Sequence, residues 1–271
     1  MHQKQKNLQL QYIGFHKTPF LWYGKGVFNL EQFNIETTNP CSLNTVITEN
    51  LRLGKLVERF VSFDLKNESN IDIIVENVQI QKEKITLGEI DCLLFQNNVP
   101  IHLEIIYKFY LYDPKISDDE IYKWIGPNKR DSLVQKLTKL KNKQLPLLFS
   151  EESKAYLKEV NLISDQIKQQ IYFKAQLYIP LNDKEKSYPV INNNCIAGFY
   201  CHYNVLKQFA HCKLYIPSKH DWLIIPHANV EWLSFENSLP EILKFIDQES
   251  SPLCWVKKPN GEFIKLFVVW W

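Results

Sequence analysis

The sequence predicts an α/β fold of the α+β kind, and three observations carry that expectation. Apolar residues recur at helical spacing from Leu51 to Phe63. They alternate with polar ones in three segments between residues 71 and 111, and return to helical spacing after residue 130. The three alternating segments are joined by short connections, which implies an antiparallel meander.

Taken in order, residues 1–50 show no clean periodicity. Phe20, Trp22, Tyr23 and Phe28 alternate with Gly and Pro, and read as an irregular or short-helical lead-in whose aromatics pack on the main body. Leu51, Leu53, Leu56, Val57, Phe60 and Phe63 make one face of a helix that begins after Thr48 and ends near Lys66, where Asn67-Glu68-Ser69-Asn70 interrupts it. Strands are expected over 71–81, 86–95 and 100–111, with Lys82-Glu83-Lys84 and Gln96-Asn97-Asn98 as the turns. Asp113-Pro114 and Gly126-Pro127-Asn128 break the connecting segment that follows. A helix then starts near Arg130 or Asp131, shows Leu133, Leu137 and Leu140 on one face, and ends at Pro146. Its other face is basic, with Lys136, Lys139, Lys141 and Lys143 following Lys129 and Arg130. A helix over 150–159 and a strand over 170–179 come next. The last third reads as β-rich, with a hairpin joining 213–217 to 222–226, a short helix over 240–248, and a hairpin across Pro259-Asn260-Gly261. These elements suggest a lead-in (1–50), a core (51–180) and a C-terminal extension (181–271).

A chain of 271 residues can bury a proper core, and 45% hydrophobic with 23% charged residues is ordinary for a globular protein. The net charge of +2 permits phosphate binding without indicating it. The six cysteines form no CxxC pair and no regular framework. The opening Met1-His2-Gln3-Lys4-Gln5-Lys6-Asn7 is polar with no apolar region behind it, and no apolar run approaches the roughly 20 residues of a membrane span. The expected location is a reducing cytoplasm, with no membrane partner. No Gly-rich phosphate loop, Rossmann fingerprint or Ser-His-Asp arrangement stands out, and Cys201-His202 with His211-Cys212 matches no standard zinc spacing.

The chemistry concentrates in the meander. Period-two alternation puts Glu104, Ile106 and Lys108 on one face of the third strand, while Asp91 lies on the second. A hairpin therefore gathers an Asp, a Glu and a Lys within otherwise apolar strands. Each buried charge loses several kcal/mol of hydration unless it is paired or bound to a metal. Glu89 shares a strand face with Asp91 and is an alternative ligand, and an internal ion-pair cluster is the structural alternative for the whole group.

The order helix, three-strand meander, helix, strand, with Asp on the second strand and Glu then Lys on the third, resembles the PD-(D/E)XK restriction-endonuclease-like core, here with a β-rich C-terminal extension. Leu53-Gly54-Lys55-Leu56-Val57-Glu58-Arg59-Phe60, Leu87-Gly88-Glu89-Ile90-Asp91-Cys92-Leu93 and His102-Leu103-Glu104-Ile105-Ile106-Tyr107-Lys108 also resemble the bacterial family of domain of unknown function 1853. So does Trp124-Ile125-Gly126-Pro127-Asn128-Lys129-Arg130-Asp131. The resemblance implies a nuclease that hydrolyses phosphodiesters of DNA or RNA with Mg²⁺ or Mn²⁺. It implies that Asp91 and Glu104 ligate the metal, that Glu58 is an outer ligand, and that Lys108 assists the attacking water. Lys129, Arg130, Lys136 and Lys139 would hold the nucleic-acid backbone, since Lys and Arg supply sequence-independent affinity. One departure stands out: the superfamily lysine falls two residues after the Glu, where this chain has Ile106, and Lys108 sits one rung further along. The alternative is a catalytically inactive nuclease-fold protein acting as a nucleic-acid-binding or protein-interaction module.

Overall fold

A computed structural model describes residues 2–35, 42–43, 51–183 and 187–271. In chain order its regular elements are α1 (His2–Lys17), α2 (Leu53–Lys66), β1 (Ile71–Lys82), β2 (Ile85–Gln96), β3 (Val99–Tyr112) and β4 (Trp124–Ile125). Then come α3 (Leu133–Lys139), α4 (Glu151–Glu159), β5 (Lys168–Pro180), β6 (Ile196–His202), β7 (Lys213–Tyr215), β8 (Leu233–Ser234), α5 (Phe235–Asp247), β9 (Leu253–Lys257) and β10 (Phe263–Val269). The protein is thus of mixed α/β class. Its contacts divide it into two compact units, one of Phe20–Tyr107 with Gln135–Lys174, the other of Met1–Pro19, Lys108–Val134 and Ala175–Trp271. Strands β3 and β5 each run from one unit into the other.

The first, the meander unit, is built on β1-β2-β3, paired antiparallel throughout. The turn between β2 and β3 needs two residues with positive φ, and Asn97 (50°) and Asn98 (65°) supply them. Asn tolerates this conformation better than most residues because its short side chain can bond locally. Helix α2 buries Leu56, Val57, Phe60, Val61 and Leu65, a stripe at helical spacing. The expected helical start at Thr48 lies outside the described residues. Below the meander, Ile80, Ile90 and Leu93 pack with Leu148, Leu157, Leu162 and Ile167. Helix α4 is capped by Ser150, whose hydroxyl accepts the Ser153 N–H at 3.1 Å. The basic helix is shorter than its sequence suggests: α3 gives way at Leu140 to a wider π turn through Gln144, and residues 145–149, with Pro146, form a 3-10 turn. Of the lead-in aromatics, Phe20 meets Tyr172 and Trp22 meets Phe173 edge-on within this unit.

The second, the mixed-sheet unit, orders its strands β5-β6-β10-β9-β7-β8. Strand β6 pairs parallel with both β5 and β10, while β9 pairs antiparallel with β10 and β7. Leu214, Phe235, Ile242, Cys254, Val256, Leu266 and Val268 form its core. The hairpin across residues 258–262 is as expected, with Gly261 at φ 86°. Three features differ from the sequence reading. Residues 2–17 form a full helix, α1, which buries Tyr12 and Phe15 and sends the Gln11 amide to Asp221 at 2.8 Å. Residues 222–226 are not a strand: His220–Leu223 is a 3-10 turn in which Asp221 accepts from the Ser218 hydroxyl at 2.8 Å, and β7 pairs instead with β8 and β9. Helix α5 begins five residues before Pro240, because Ser234 caps it by accepting the Asn237 N–H. Among the described residues, no helix is long and apolar enough to cross a membrane.

Candidate metal centre

Three side chains of the meander unit converge. Glu58 comes from α2, Glu89 and Asp91 from alternate positions of β2, and an oxygen of each lies within 4.8 Å of an oxygen of the other two. The two strand carboxylates share a face because side-chain direction repeats every second residue. They border a cavity of about 290 Å³, which Lys55, Lys139, Lys143 and Gln144 also line.

The local backbone explains how Asp91 comes to be there. Strands β2 and β3 pair from Gln96/Val99 up to Cys92/Leu103. Just past that last pair, one residue along β2 and two along β3, the Ile105 N–H donates to the Asp91 carboxylate at 2.9 Å. The aspartate side chain takes that backbone donor. Burial, and then the charge of Glu104, hold the Asp91 carboxyl well above the usual carboxylate range. Glu58 is also raised, chiefly by burial, which outweighs the opposing pull of Lys55.

Lys55 is the cation of this group. Its ammonium donates to Glu58 at 2.8 Å, to Asn77 Oδ1 at 2.8 Å and to Glu89. Burial lowers its pKa and the two carboxylates more than offset that, leaving it raised. Asn77 reaches the ammonium from a positive-φ position (57°) within β1, a conformation that costs an ordinary residue about 1 kcal/mol or more.

Glu104 is fully buried and committed to other partners. Its Oε1 lies 3.2 Å from His102 Nε2, and its Oε2 accepts from the Gln144 amide. Gln169 donates its amide to His102 Nδ1 at 3.0 Å and to the Leu145 carbonyl at 2.7 Å. With Nδ1 accepting, the histidine proton sits on Nε2 and points at Glu104. Lys136 completes the chain by donating to Gln144 Oε1 at 2.7 Å. Glu104 is therefore not one of the three grouped carboxylates, although its charge is felt by Asp91.

The remaining residues named from the sequence fall as follows. Lys139 lines the carboxylate cavity and Lys136 braces Gln144. Lys108, Lys129 and Arg130 belong to the mixed-sheet unit. There Lys108 pairs with Asp131 at 2.7 Å, Lys129 pairs with Asp113 at 3.5 Å and lies 4.0 Å above the Trp271 ring, and Arg130 is exposed. Sequence reasoning did not single out Lys55 or Asn77, whose roles depend on contacts across 22 and 34 positions of chain. The one available signal was the spacing of Lys55 and Glu58, which share a helix face at i, i+3.

The donor set fits a hard divalent cation. Three carboxylates face one ammonium, so two negative charges are left over when all are ionised, and Mg²⁺ prefers carboxylate and water oxygens. A mixed α/β protein with a clustered-carboxylate site is the class these features define. A sequence model of the family described as a domain of unknown function (DUF1853) matches residues 30–263, and the chain belongs to that family. No curated protein and no solved structure matches the chain.

Proposed function

We propose that this protein is a divalent-metal-dependent phosphodiesterase of the PD-(D/E)XK kind, acting on DNA or RNA. The observation that carries the reading is the Glu58–Glu89–Asp91 cluster beside a cavity edged by lysines. The order α2, β1-β2-β3, α3, β5 supports the fold assignment. In this reading Glu58, Glu89 and Asp91 would hold Mg²⁺ or Mn²⁺, which when bound supplies an acidified water and neutralises charge on the phosphate. Burial, and then the charge of Glu104 anchored by His102 and Gln144, favour the protonated Asp91 carboxyl, and a cation held by the three carboxylates would favour its ionised form. Lys139 and Lys143, which line the cavity, meet the phosphate backbone, with Lys136 of the same unit extending the basic contribution. Lys55 is the ammonium already beside the carboxylates, a place that the sequence pattern assigns to Lys108.

The test is Mn²⁺ titration by calorimetry, followed by a cleavage screen on single- and double-stranded DNA and RNA. Asp91→Asn should weaken Mn²⁺ binding at least tenfold and abolish metal-dependent cleavage. Unchanged binding in both Asp91→Asn and Glu89→Gln would sink the site assignment.

A specific observation favours the second reading, a catalytically inactive binding module: Lys55 bridges Glu58 and Glu89, so the cluster carries a counter-charge of its own. Nucleic-acid affinity that needs no metal and is indifferent to Asp91→Asn would establish it.

A further inference from the structure

The mixed-sheet unit holds a second cavity, of about 430 Å³, within the range of small-molecule sites. Its distinctive feature is Lys265 of β10, a lysine only 6% exposed. The ammonium donates to Gln176 Oε1 at 2.9 Å and to the Trp222 carbonyl at 2.6 Å. Both acceptors are neutral. Gln176 is further engaged, since its Oε1 also accepts from the Tyr178 hydroxyl at 2.9 Å. No Asp or Glu is among the described residues that line the cavity, while Lys17, exposed at the end of α1, adds a second cation.

The backbone around the cavity is bare where it has to be. Gly198 is the register partner of Lys265, and a Cβ there would fall 2.3 Å from the Lys265 carbonyl oxygen. A Cβ on Gly14 would fall 1.9 Å from the Leu223 carbonyl oxygen. Both glycines line the cavity, together with the apolar side chains of Phe199 and Ile225.

A buried ammonium with no counter-charge is costly, because its hydration is lost and nothing of opposite sign replaces it. Burial alone draws the Lys265 amine down to about 7. A ligand that brings a negative charge would supply what the protein withholds.

We propose that this cavity binds a small organic anion, a carboxylate or phosphate monoester with an apolar body, whose charged group pairs with Lys265. The apolar body lies against Phe199 and Ile225, and Lys17 favours entry of negative charge. This site is independent of the carboxylate cluster and of the nuclease reading.

Thermal denaturation of the full chain with phenyl phosphate, benzoate and the neutral benzyl alcohol tests it. One or both anions should raise the midpoint by about 3 °C at roughly ten times the dissociation constant, and benzyl alcohol should not. A response to phenyl phosphate alone, or to benzoate alone, identifies the charged group that the site accepts. Lys265→Met should abolish the response. Should that variant fail to fold, Ile225→Asp decides, since it places a carboxylate at a half-exposed lining position and should weaken anion binding about tenfold. No shift with either anion, an equal shift with benzyl alcohol, or a response unchanged in Lys265→Met or Ile225→Asp overturns the proposal.

Discussion

The Asp91 carboxylate is costly where it stands. Its carboxyl is raised by burial and by Glu104, so the folded state holds a proton there that the unfolded chain has already released. The sign follows. The contribution of this group to stability is fully present below the unfolded carboxylate pKa of about 4 and is lost as pH rises through the raised folded value. Asp91→Asn removes the titration and can still accept the Ile105 N–H through its amide oxygen. We expect the variant to be more stable than wild type at pH 8, by roughly 1–3 kcal/mol, with the difference shrinking as pH falls toward 5. Urea midpoints at several pH values check this. A wild type and variant that run parallel across that range would show that Asp91 is not held protonated. The same substitution that should destroy metal binding should thus stabilise the metal-free fold, the usual signature of a residue retained for function.

At the scale of elements, the turn between β2 and β3 makes its own prediction. Asn98 at φ 65° should accept Gly with little change, whereas Asn98→Val should cost about 1–2 kcal/mol, because a β-branched side chain is strained in the left-handed region. Chemical denaturation of the two variants measures the difference, and equal stability would mean that the turn relaxes freely. This meander was legible because each strand alternates cleanly and ends on turn residues, so its three strands were placed to within a residue or two. Glu89 and Asp91 were legible as a pair for the same reason. Helix α1 was not, since its buried residues include Gln11 and Gly14, which carry no apolar signal and whose places follow from Asp221 and the Leu223 backbone. The run Trp222-Leu223-Ile224-Ile225 has strand composition, yet local bonding between Ser218 and Asp221, and the use of the Trp222 carbonyl by Lys265, hold it as a turn. Lys55 was hidden for a related reason: a side chain that meets partners on two strands leaves no pattern in its own helix.

For the whole molecule, the division into units bears on where the chain can be cut. The sequence suggested a core over 51–180 with the C-terminal extension packed on it, and the contacts assign Lys108–Val134 and Ala175–Pro180 to the unit that also contains β6, β9 and β10. A fragment of residues 51–180 would leave the end of β5 without its parallel partner in β6. That fragment should lack a cooperative unfolding transition, while the full chain shows one or two. A fragment that unfolds as sharply as the intact protein would show that residues 51–180 fold without the extension.

The path of the chain has a mechanical consequence as well. Residue 2 and residue 271 lie in the same unit, and the two segments of the meander unit fall between them in the sequence. Tension applied between those two residues therefore falls on the mixed-sheet unit first. The segments that carry the carboxylate cluster come under load only after that unit has given way, so a pull strong enough to open the Lys265 cavity would still leave Glu58, Glu89 and Asp91 in place.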